Sequence, residues 1–144
     1  MKAINEMKLT FESRSANEGF ARVAVSAFVA ELDPTVEEIS DIKTAVSEAV
    51  TNSIVHGYKD QIGRVYISAR IYADSVVRLT IRDTGCGIED VQKAVEPLYT
   101  TCETGERAGM GFAVMEAFTD KMRVRSTPGK GTTVYLEKRI RSKG

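Results

Sequence analysis

The chain has 144 residues, of which 42% are hydrophobic and 28% charged, the size and composition of one globular domain. Its 20 basic and 20 acidic residues give a formal net charge of +0, which argues against a main role in nonspecific binding to nucleic acid or anionic membranes. The apolar stretches are too short to span a bilayer, and the first residues lack the pattern of a signal peptide. We therefore expect one cytoplasmic domain over residues 1–144.

The cysteine content favours the same location. Cys86 and Cys102 are accompanied by one histidine, His56, which is too few ligands for a zinc signature. Two cysteines also make no disulfide framework, so we expect reduced thiols in a reducing compartment.

The first part of the sequence predicts a strand and two helices. Apolar and polar residues alternate over 7–11, which indicates a strand. Residues 15–18, Ser-Ala-Asn-Glu, have the pattern of a capping box and predict a helix that continues to about Leu32. A second capping box, Thr-Val-Glu-Glu over 35–38, begins a helix that we expect to end at Gly57 in the left-handed conformation.

Two hairpins and a third helix complete the predicted elements. In chain order they are a hairpin of 64–73 and 76–83, a short helical stretch near 89–95, a polar loop over 97–108, a helix over about 109–118, and a hairpin of 122–126 and 132–138. This order predicts an α/β (α+β) two-layer sandwich, with helices on one face of a mostly antiparallel mixed sheet.

One polar stripe on the second helix carries side chains that could bind a metal ion or act as a base. Glu48, Asn52 and His56 are spaced i, i+4, so they share one face of an otherwise apolar helix. A solvated stripe would explain Glu48 and Asn52 equally well. Alternatively, the Asn52 carbonyl oxygen is a ligand suited to Mg²⁺, and the Glu48 carboxylate could orient or deprotonate an attacking hydroxyl.

A second motif, Asp-Thr-Gly-Cys-Gly over 83–87, follows a predicted strand. It is either a strand-ending turn or the floor of a pocket. In a pocket, the Asp83 carboxylate would accept a hydrogen bond from an exocyclic amine, and the glycines would allow a flat ligand to approach the backbone.

A third motif leads from the polar loop into a helix. Gly109 and Gly111 serve either tight packing or the exposure of backbone N–H groups to phosphate oxygens. Arg107, just before them, is placed to donate two hydrogen bonds to a terminal phosphate. Gly-Thr-Thr over 131–133 is a weaker fourth element, because such triplets are common in turns.

The order of these motifs is more specific than any one of them. Glu-x-x-x-Asn on a helix, Asp-x-Gly-x-Gly after a strand, Gly-x-Gly before a helix and Gly-Thr-Thr in a strand together resemble the Bergerat ATP-binding fold of the GHKL proteins. Gyrase, Hsp90, histidine kinases and MutL share that fold. The resemblance covers nearly the whole chain and implies ATP or ADP with Mg²⁺ as ligands, with an ATP lid over 97–108.

The resemblance also implies roles for individual residues. Glu48 would be the catalytic base, Asn52 the Mg²⁺ ligand and Asp83 the residue that recognises adenine. Arg107 would act near the γ-phosphate. The remaining implied ATP contacts are Gly85, Gly87, Thr100, Thr101, Gly109, Met110, Gly111, Thr132 and Thr133.

Local sequence narrows the resemblance to one branch. Leu-Asp-Pro at 32–34, Val-Ser-Glu-Ala-Val-Thr-Asn at 46–52 and Gly-Met-Gly-Phe at 109–112 are similar to the anti-sigma F factor family (stage II sporulation protein AB) of spore-forming bacilli. That similarity implies a serine kinase that holds a sporulation sigma factor inactive and phosphorylates a serine of its anti-anti-sigma antagonist. The lid departs from the family pattern, because it lacks the lysine often found after the threonine pair.

The first helix is apolar on two sides, one with Phe20 and Val23 and another with Val25 and Val29. A helix of this kind usually buries both sides. Either the second helix covers the additional side, or that side forms a homodimer or partner surface, in which Arg22 is a candidate contact.

Three other functions remain open at this point. The chain also fits the related anti-sigma B kinases of the stress response, or a binding module that uses ATP only to set its conformation. Glu48 favours catalysis, since a pure binding module needs no base. A catalytic domain cut from a histidine kinase ranks last, because the sequence runs from a capped first strand to a basic tail over 138–143, with no truncated helix at its start.

Overall fold

The computed structural model describes residues 2–88, 91 and 108–142, with the backbone alone at 108–110. The helices and strands follow the predicted order. They are β1 (Ala3–Glu12), α1 (Ala16–Val29) with a 3-10 turn (Ala30–Leu32), α2 (Val36–Asn52) with a π-helical segment (Ser53–Gly57), β2 (Arg64–Tyr72), β3 (Val76–Asp83), α3 (Ala108–Ala117), β4 (Lys121–Thr127) and β5 (Gly131–Arg139).

The five strands form one sheet in the order β1-β2-β3-β5-β4. The predicted hairpins β2–β3 and β4–β5 are both present, and β3 pairs with β5 in the middle of the sheet. All four pairings are antiparallel. The expectation of a mixed sheet is therefore wrong for the described strands, because each neighbour in this order runs in the opposite direction.

One face of the sheet packs against the helices and forms the core. Strand residues alternate between this face and solvent, so the inward side chains are buried in β2, β3 and β5 and half-buried in the edge strands β1 and β4. The core includes Val25 and Val29 from α1, Ile42, Val46 and Val50 from α2, Ile67, Ile81 and Leu136 from the sheet, and Phe112 and Met115 from α3. The predicted two-layer sandwich, with helices on one face, is confirmed.

The two predicted capping boxes have different outcomes. At α2, the N–H of Glu38 donates to Thr35 Oγ1 over 3.0 Å and the N–H of Thr35 donates to Glu38 Oε1 over 2.9 Å, so this box is confirmed. At α1, Ser15 makes no side-chain cap bond. The reason is that Ser15 already has helical dihedral angles, and Glu18 instead accepts a hydrogen bond from Ser47 of α2.

The end of α2 also differs from the prediction. Beyond Asn52 the backbone widens into the π-helical segment, where the N–H of Tyr58 donates to the carbonyl oxygen of Ser53 over 2.9 Å. Gly57 does not have a positive φ, so the predicted left-handed termination is wrong. The π-helical turn ends the helix in its place.

Two predictions lie largely outside the described residues. Of the short helix near 89–95, the structure describes only residue 91, which is helical, and of the loop over 97–108 only Ala108, which begins α3. Within the described part of the chain, no helix is long and apolar enough to cross a membrane.

Candidate functional site

The centre of the site is the carboxylate of Asp83, the last residue of β3. Its side chain is 4% exposed. Ser53 Oγ donates to Oδ2 over 2.8 Å, while the N–H groups of Gly85 and Thr132 donate to Oδ1 over 2.9 and 3.3 Å. The three donors come from the π-helical segment, the turn after β3, and β5, so the fold itself fixes the orientation of this carboxylate.

The Asp83 carboxylate has acceptor capacity left for a ligand. A carboxylate offers about four lone-pair positions, and the described residues fill three of them. Burial raises the pKa of Asp83, and the hydrogen bonds from Gly85, Ser53 and Thr132 and the charge of Arg82 partly offset that rise. A ligand N–H group at the remaining position would complete the shell of this buried acceptor.

Two glycines let the backbone pass close to Asp83. A Cβ atom on Gly57 would lie 3.0 Å from the Asp83 carboxyl carbon and oxygens, and one on Gly85 would collide with the carbonyl oxygen of Gly57. The N–H of Cys86 donates to that same carbonyl over 2.8 Å. Gly57 and Gly85 are therefore required by close packing between the π-helical segment and the turn after β3.

A small cavity adjoins the carboxylate. Its volume is about 10 Å³, close to the space that a single water needs. An adenine ring would fit only after the surrounding groups move apart. The cavity is lined by Asn52, His56, Gly57, Asp83, Gly87, Ile88 and Thr132.

The polar stripe of α2 is largely withdrawn from solvent. Asn52 is only 9% exposed, so the alternative of a solvated stripe is wrong for this residue. Glu48, one turn earlier, is half-buried, and its Oε2 lies 3.2 Å from where a Cβ of Gly111 would be. His56 lies in the π-helical segment, where i, i+4 spacing no longer applies, but it still lines the cavity.

Glu48 has an acidic neighbour on α1. Burial raises the pKa of Glu48, and the negative charge of Glu18 raises it further. Glu18 is held by the Ser47 hydroxyl and by Arg22, whose Nε lies 3.8 Å from Glu18 Oε2. The candidate partner contact Arg22 is thus linked through Glu18 to the region of the candidate base.

The outer side of α1 stays exposed. Ala21, Val25 and Val29 are buried, whereas Phe20 and Val23 are 53% and 62% exposed. The alternative that α2 covers both apolar sides of α1 is therefore wrong for the described residues.

The two threonines of the Gly-Thr-Thr triplet (131–133) lie on opposite faces of the sheet. Thr132 is 6% exposed and bonds Asp83 through its N–H. Thr133 pairs with Arg82 on the opposite face, so the structure does not bring it to the cavity. Ser126 Oγ accepts from the N–H of Ile88 over 2.7 Å and lies 2.8 Å from Thr132 Oγ1.

Sequence reasoning missed three hydroxyl groups that hold the site together. Ser53 follows Asn52 directly at the end of α2, and no sequence motif marks its contact with Asp83, 30 positions away. Ser126 lies in a strand with no motif around it. Tyr58 accepts from the N–H of Thr84 over 2.7 Å and donates to the carbonyl oxygen of Arg64 over 2.6 Å.

Several predicted site residues cannot be placed. Thr100, Thr101, Arg107 and Cys102 lie outside the described residues. Gly109 and Met110 are described by backbone alone, in the first turn of α3, where Gly111 follows them. Cys86 is exposed beside the cavity, with its Sγ 3.0 Å from the carbonyl oxygen of His56.

Comparison with known proteins identifies the family. Residues 11–138 match the family model of the histidine kinase-like ATPase domain. The anti-sigma F factor of Thermoanaerobacter sp. is 56% identical over 142 residues, which cover 99% of both chains. This chain belongs to the anti-sigma F factor family. Another member, from Geobacillus kaustophilus, is 55% identical over 136 residues, 94% of this chain and 93% of that protein.

Two solved structures have the same fold as this chain. The crystal structure of the RsbU and RsbW domains of a Mycobacterium tuberculosis protein matches 94% of this chain and 32% of that chain, with a TM-score of 0.70 and 24% identity. A mycobacterial sensor histidine kinase matches 92% of this chain and 99% of its own, with a TM-score of 0.60 and 14% identity. The predicted GHKL fold is confirmed.

Proposed function

We propose that this member of the anti-sigma F factor family is an ATP-dependent serine kinase that also holds a sigma factor inactive. The observation that carries the proposal is the position of Glu48. Its half-buried carboxylate lies against Gly111 in the first turn of α3, one helical turn from the buried Asn52. A base beside a glycine-rich helix start is the arrangement that phosphoryl transfer to a hydroxyl needs.

The nucleotide would bind with its adenine amine donating to Asp83, which has an acceptor position left. The phosphates would lie toward the first turn of α3, where backbone N–H groups have no partner within the helix. Gly87 and Thr132 would contact the base from the cavity wall. Thr100, Thr101 and Met110 remain ATP contacts that rest on the family resemblance.

Asn52 is suited to hold Mg²⁺ together with the phosphates. Among the described residues, no group of three or more His, Cys, Asp or Glu side chains could hold a metal ion. Mg²⁺ commonly takes one or two protein oxygens and completes its shell with water and phosphate oxygens, so a single amide fits. When bound, the ion would neutralise negative charge on the phosphates.

In the transfer step, the serine hydroxyl oxygen of the substrate attacks the γ-phosphorus and the bond to the β-phosphate oxygen breaks. ADP leaves and phosphoserine forms. Glu48 orients the hydroxyl and accepts its proton, which then passes to solvent. Arg107, assigned through the resemblance alone, would offset charge on the γ-phosphoryl group.

The family also suggests the partners. The relatives are named anti-sigma F factors, so we propose a sporulation sigma factor in the cytoplasm as the inhibited protein and its anti-anti-sigma antagonist as the phosphorylated one. The exposed Phe20 and Val23 with Arg22 support a partner or homodimer surface on α1, because exposed apolar side chains beside an arginine are common at interfaces.

Transfer of label from γ-labelled ATP to the antagonist tests the proposal. We expect wild type to label one serine and both Glu48→Gln and Asn52→Ala to lose transfer, whereas Glu37→Gln, an exposed carboxylate of the same helix, keeps it. ATP-dependent binding of the sigma factor without transfer would favour an ATP-switched binding module. Labelling of a stress-response antagonist instead would favour the anti-sigma B type of kinase.

A further inference from the structure

The outward face of the sheet, opposite the helices, is strongly basic. Strand alternation and register define its members. Among the strand side chains of this face, cations outnumber carboxylates three to one, although the formal net charge of the chain is +0. The cations are Lys8, Arg64, Arg70, Arg78, Arg82, Lys121, Arg123, Arg125 and Arg139, and the carboxylates are Glu6, Glu12 and Glu137. Outside the strands, Glu116 and Asp120 border the face and Asp74 pairs with Arg139.

Part of this charge is neutralised within one cross-strand row. Arg70 forms an ion pair with Glu6. Arg78 Nε lies 2.8 Å from Glu137 Oε1, and Lys121 Nζ lies 3.6 Å from Glu137 Oε2. This row therefore has little charge left to offer a partner.

The next two rows contain cations and no carboxylate. One row runs Lys8, Ser68, Thr80, Tyr135 and Arg123 across the sheet, and the other runs Thr10, Tyr66, Arg82, Thr133 and Arg125. We call Lys8, Arg82, Arg123 and Arg125 the basic rows. All four side chains are exposed, and none has a carboxylate within ion-pair distance among the residues that the structure describes.

Two of these arginines are held in place by tyrosine rings. The guanidinium carbon of Arg82 lies 4.1 Å from the centroid of the Tyr66 ring, and that of Arg123 lies 4.6 Å from the Tyr135 centroid. Stacking keeps a guanidinium flat against the sheet and reduces the entropy that it loses on binding. Its N–H groups lie in the plane of the guanidinium, where they can donate two parallel bonds to a carboxylate.

We propose that the basic rows bind a carboxylate-rich segment of a partner protein. Guanidinium groups stacked on tyrosines match the composition of protein interfaces, where Arg and Tyr are enriched. Single-stranded nucleic acid would stack its bases on aromatic rings, but guanidinium groups already cover the rings of Tyr66 and Tyr135. A second copy of this chain would bring like charges together, which is unfavourable.

Fluorescence anisotropy with a labelled peptide of about twenty alternating Glu and Ser residues tests this surface, at about 0.05 M and about 0.5 M salt. We expect Arg123→Glu/Arg125→Glu to weaken binding by about tenfold or more. Arg123→Lys/Arg125→Lys keeps the charge but loses the stacked guanidinium of Arg123 and the paired N–H donors, so its affinity should lie between those of wild type and the charge-reversed variant. Lys43→Glu/Lys59→Glu, with the same change in net charge at positions outside the strands, should bind like wild type.

Several results would overturn the proposal. They are an absence of peptide binding at low salt, equal losses in the two charge-reversed variants, or a shift in sedimentation that shows the face to be a contact between copies of this chain. Tighter binding of a single-stranded RNA or of phosphatidylserine vesicles than of the peptide would assign the face to nucleic acid or to membrane. The melting temperature of each variant, compared with wild type, separates loss of binding from loss of folding.

Discussion

Ser53 donates a hydrogen bond of 2.8 Å to the carboxylate of Asp83, although 30 positions separate the two residues in the sequence. Both side chains are almost fully buried. The bond joins the end of α2 to the end of β3, and thereby couples the helix that carries Glu48 and Asn52 to the strand that carries the proposed adenine acceptor.

Replacing Ser53 with alanine should destabilise the protein. The Asp83 carboxylate would keep its burial but lose one of its three donors, which typically costs about 1–3 kcal/mol. Urea unfolding measures the loss. Ser40→Ala, at an exposed position of the same helix, should change the free energy of unfolding by less than about 0.5 kcal/mol. Equal effects of the two substitutions would contradict the role assigned to this bond.

Gly57→Ala should weaken nucleotide binding. The added Cβ would lie 3.0 Å from the Asp83 carboxyl atoms, so the carboxylate would have to shift from its donors. We expect the affinity for ATP, measured by calorimetry, to fall by about tenfold or more. Gly19→Ala, on α1 with its nearest neighbour atom at 3.8 Å, should leave affinity unchanged and stabilise the helix by about 0.5–1 kcal/mol. Unchanged affinity in Gly57→Ala would remove Gly57 from the site.

The pH dependence of phosphoryl transfer should report on Glu48. A base must be ionised to accept a proton, so the rate should fall as the pH drops through the raised pKa of Glu48. Glu18→Gln removes a negative charge that raises this pKa, and its amide oxygen can still accept from Ser47. The acid limb of the rate profile should therefore move to lower pH.

The control for this shift is Glu37→Gln, which makes the same change in net charge near the start of α2, three helical turns before Glu48. Its acid limb should stay at the wild-type position. If both variants shift alike, or neither shifts, Glu18 does not tune the base.

The two capping sequences should respond differently to alanine. Thr35→Ala breaks a complete capping box and should lower the free energy of unfolding by about 1 kcal/mol. Ser15→Ala removes a side chain that makes no cap bond, so its effect should stay within about 0.5 kcal/mol. Chemical denaturation of both variants provides the comparison, and a larger loss for Ser15→Ala would reverse the assignment.

The sequence predicted the features that depend on neighbouring residues and missed those that depend on distant ones. Alternation and turn residues predicted both hairpins, and the Thr35 box predicted the start of α2. The Ser15 box failed because Glu18 has a partner on another helix, Ser47, which no local pattern reveals. Family resemblance predicted that Asp83 lies at a pocket, but its donor Ser53 is 30 positions away in the sequence and belongs to no motif.

The Gly-Thr-Thr motif alone also does not show which of its two threonines faces the site. Thr132 and Thr133 are adjacent and chemically identical, and either one could have bonded the site. The pairing register decides between them, because it fixes Thr132 opposite Asp83 and Thr133 opposite Arg82. That register depends on residues far from the triplet.

Because of the π-helical segment, the site depends on the number of residues between Asn52 and Tyr58 as well as on which residues they are. The additional residue in the turn after Ser53 brings Gly57 back to the side of the helix that contacts Asp83. Inserting one more residue beside Ile54 would rotate Gly57 by about 100° around the helix axis, away from the carboxylate. Tolerance to insertions next to the pocket should therefore begin only beyond Tyr58, in the turn over 59–62.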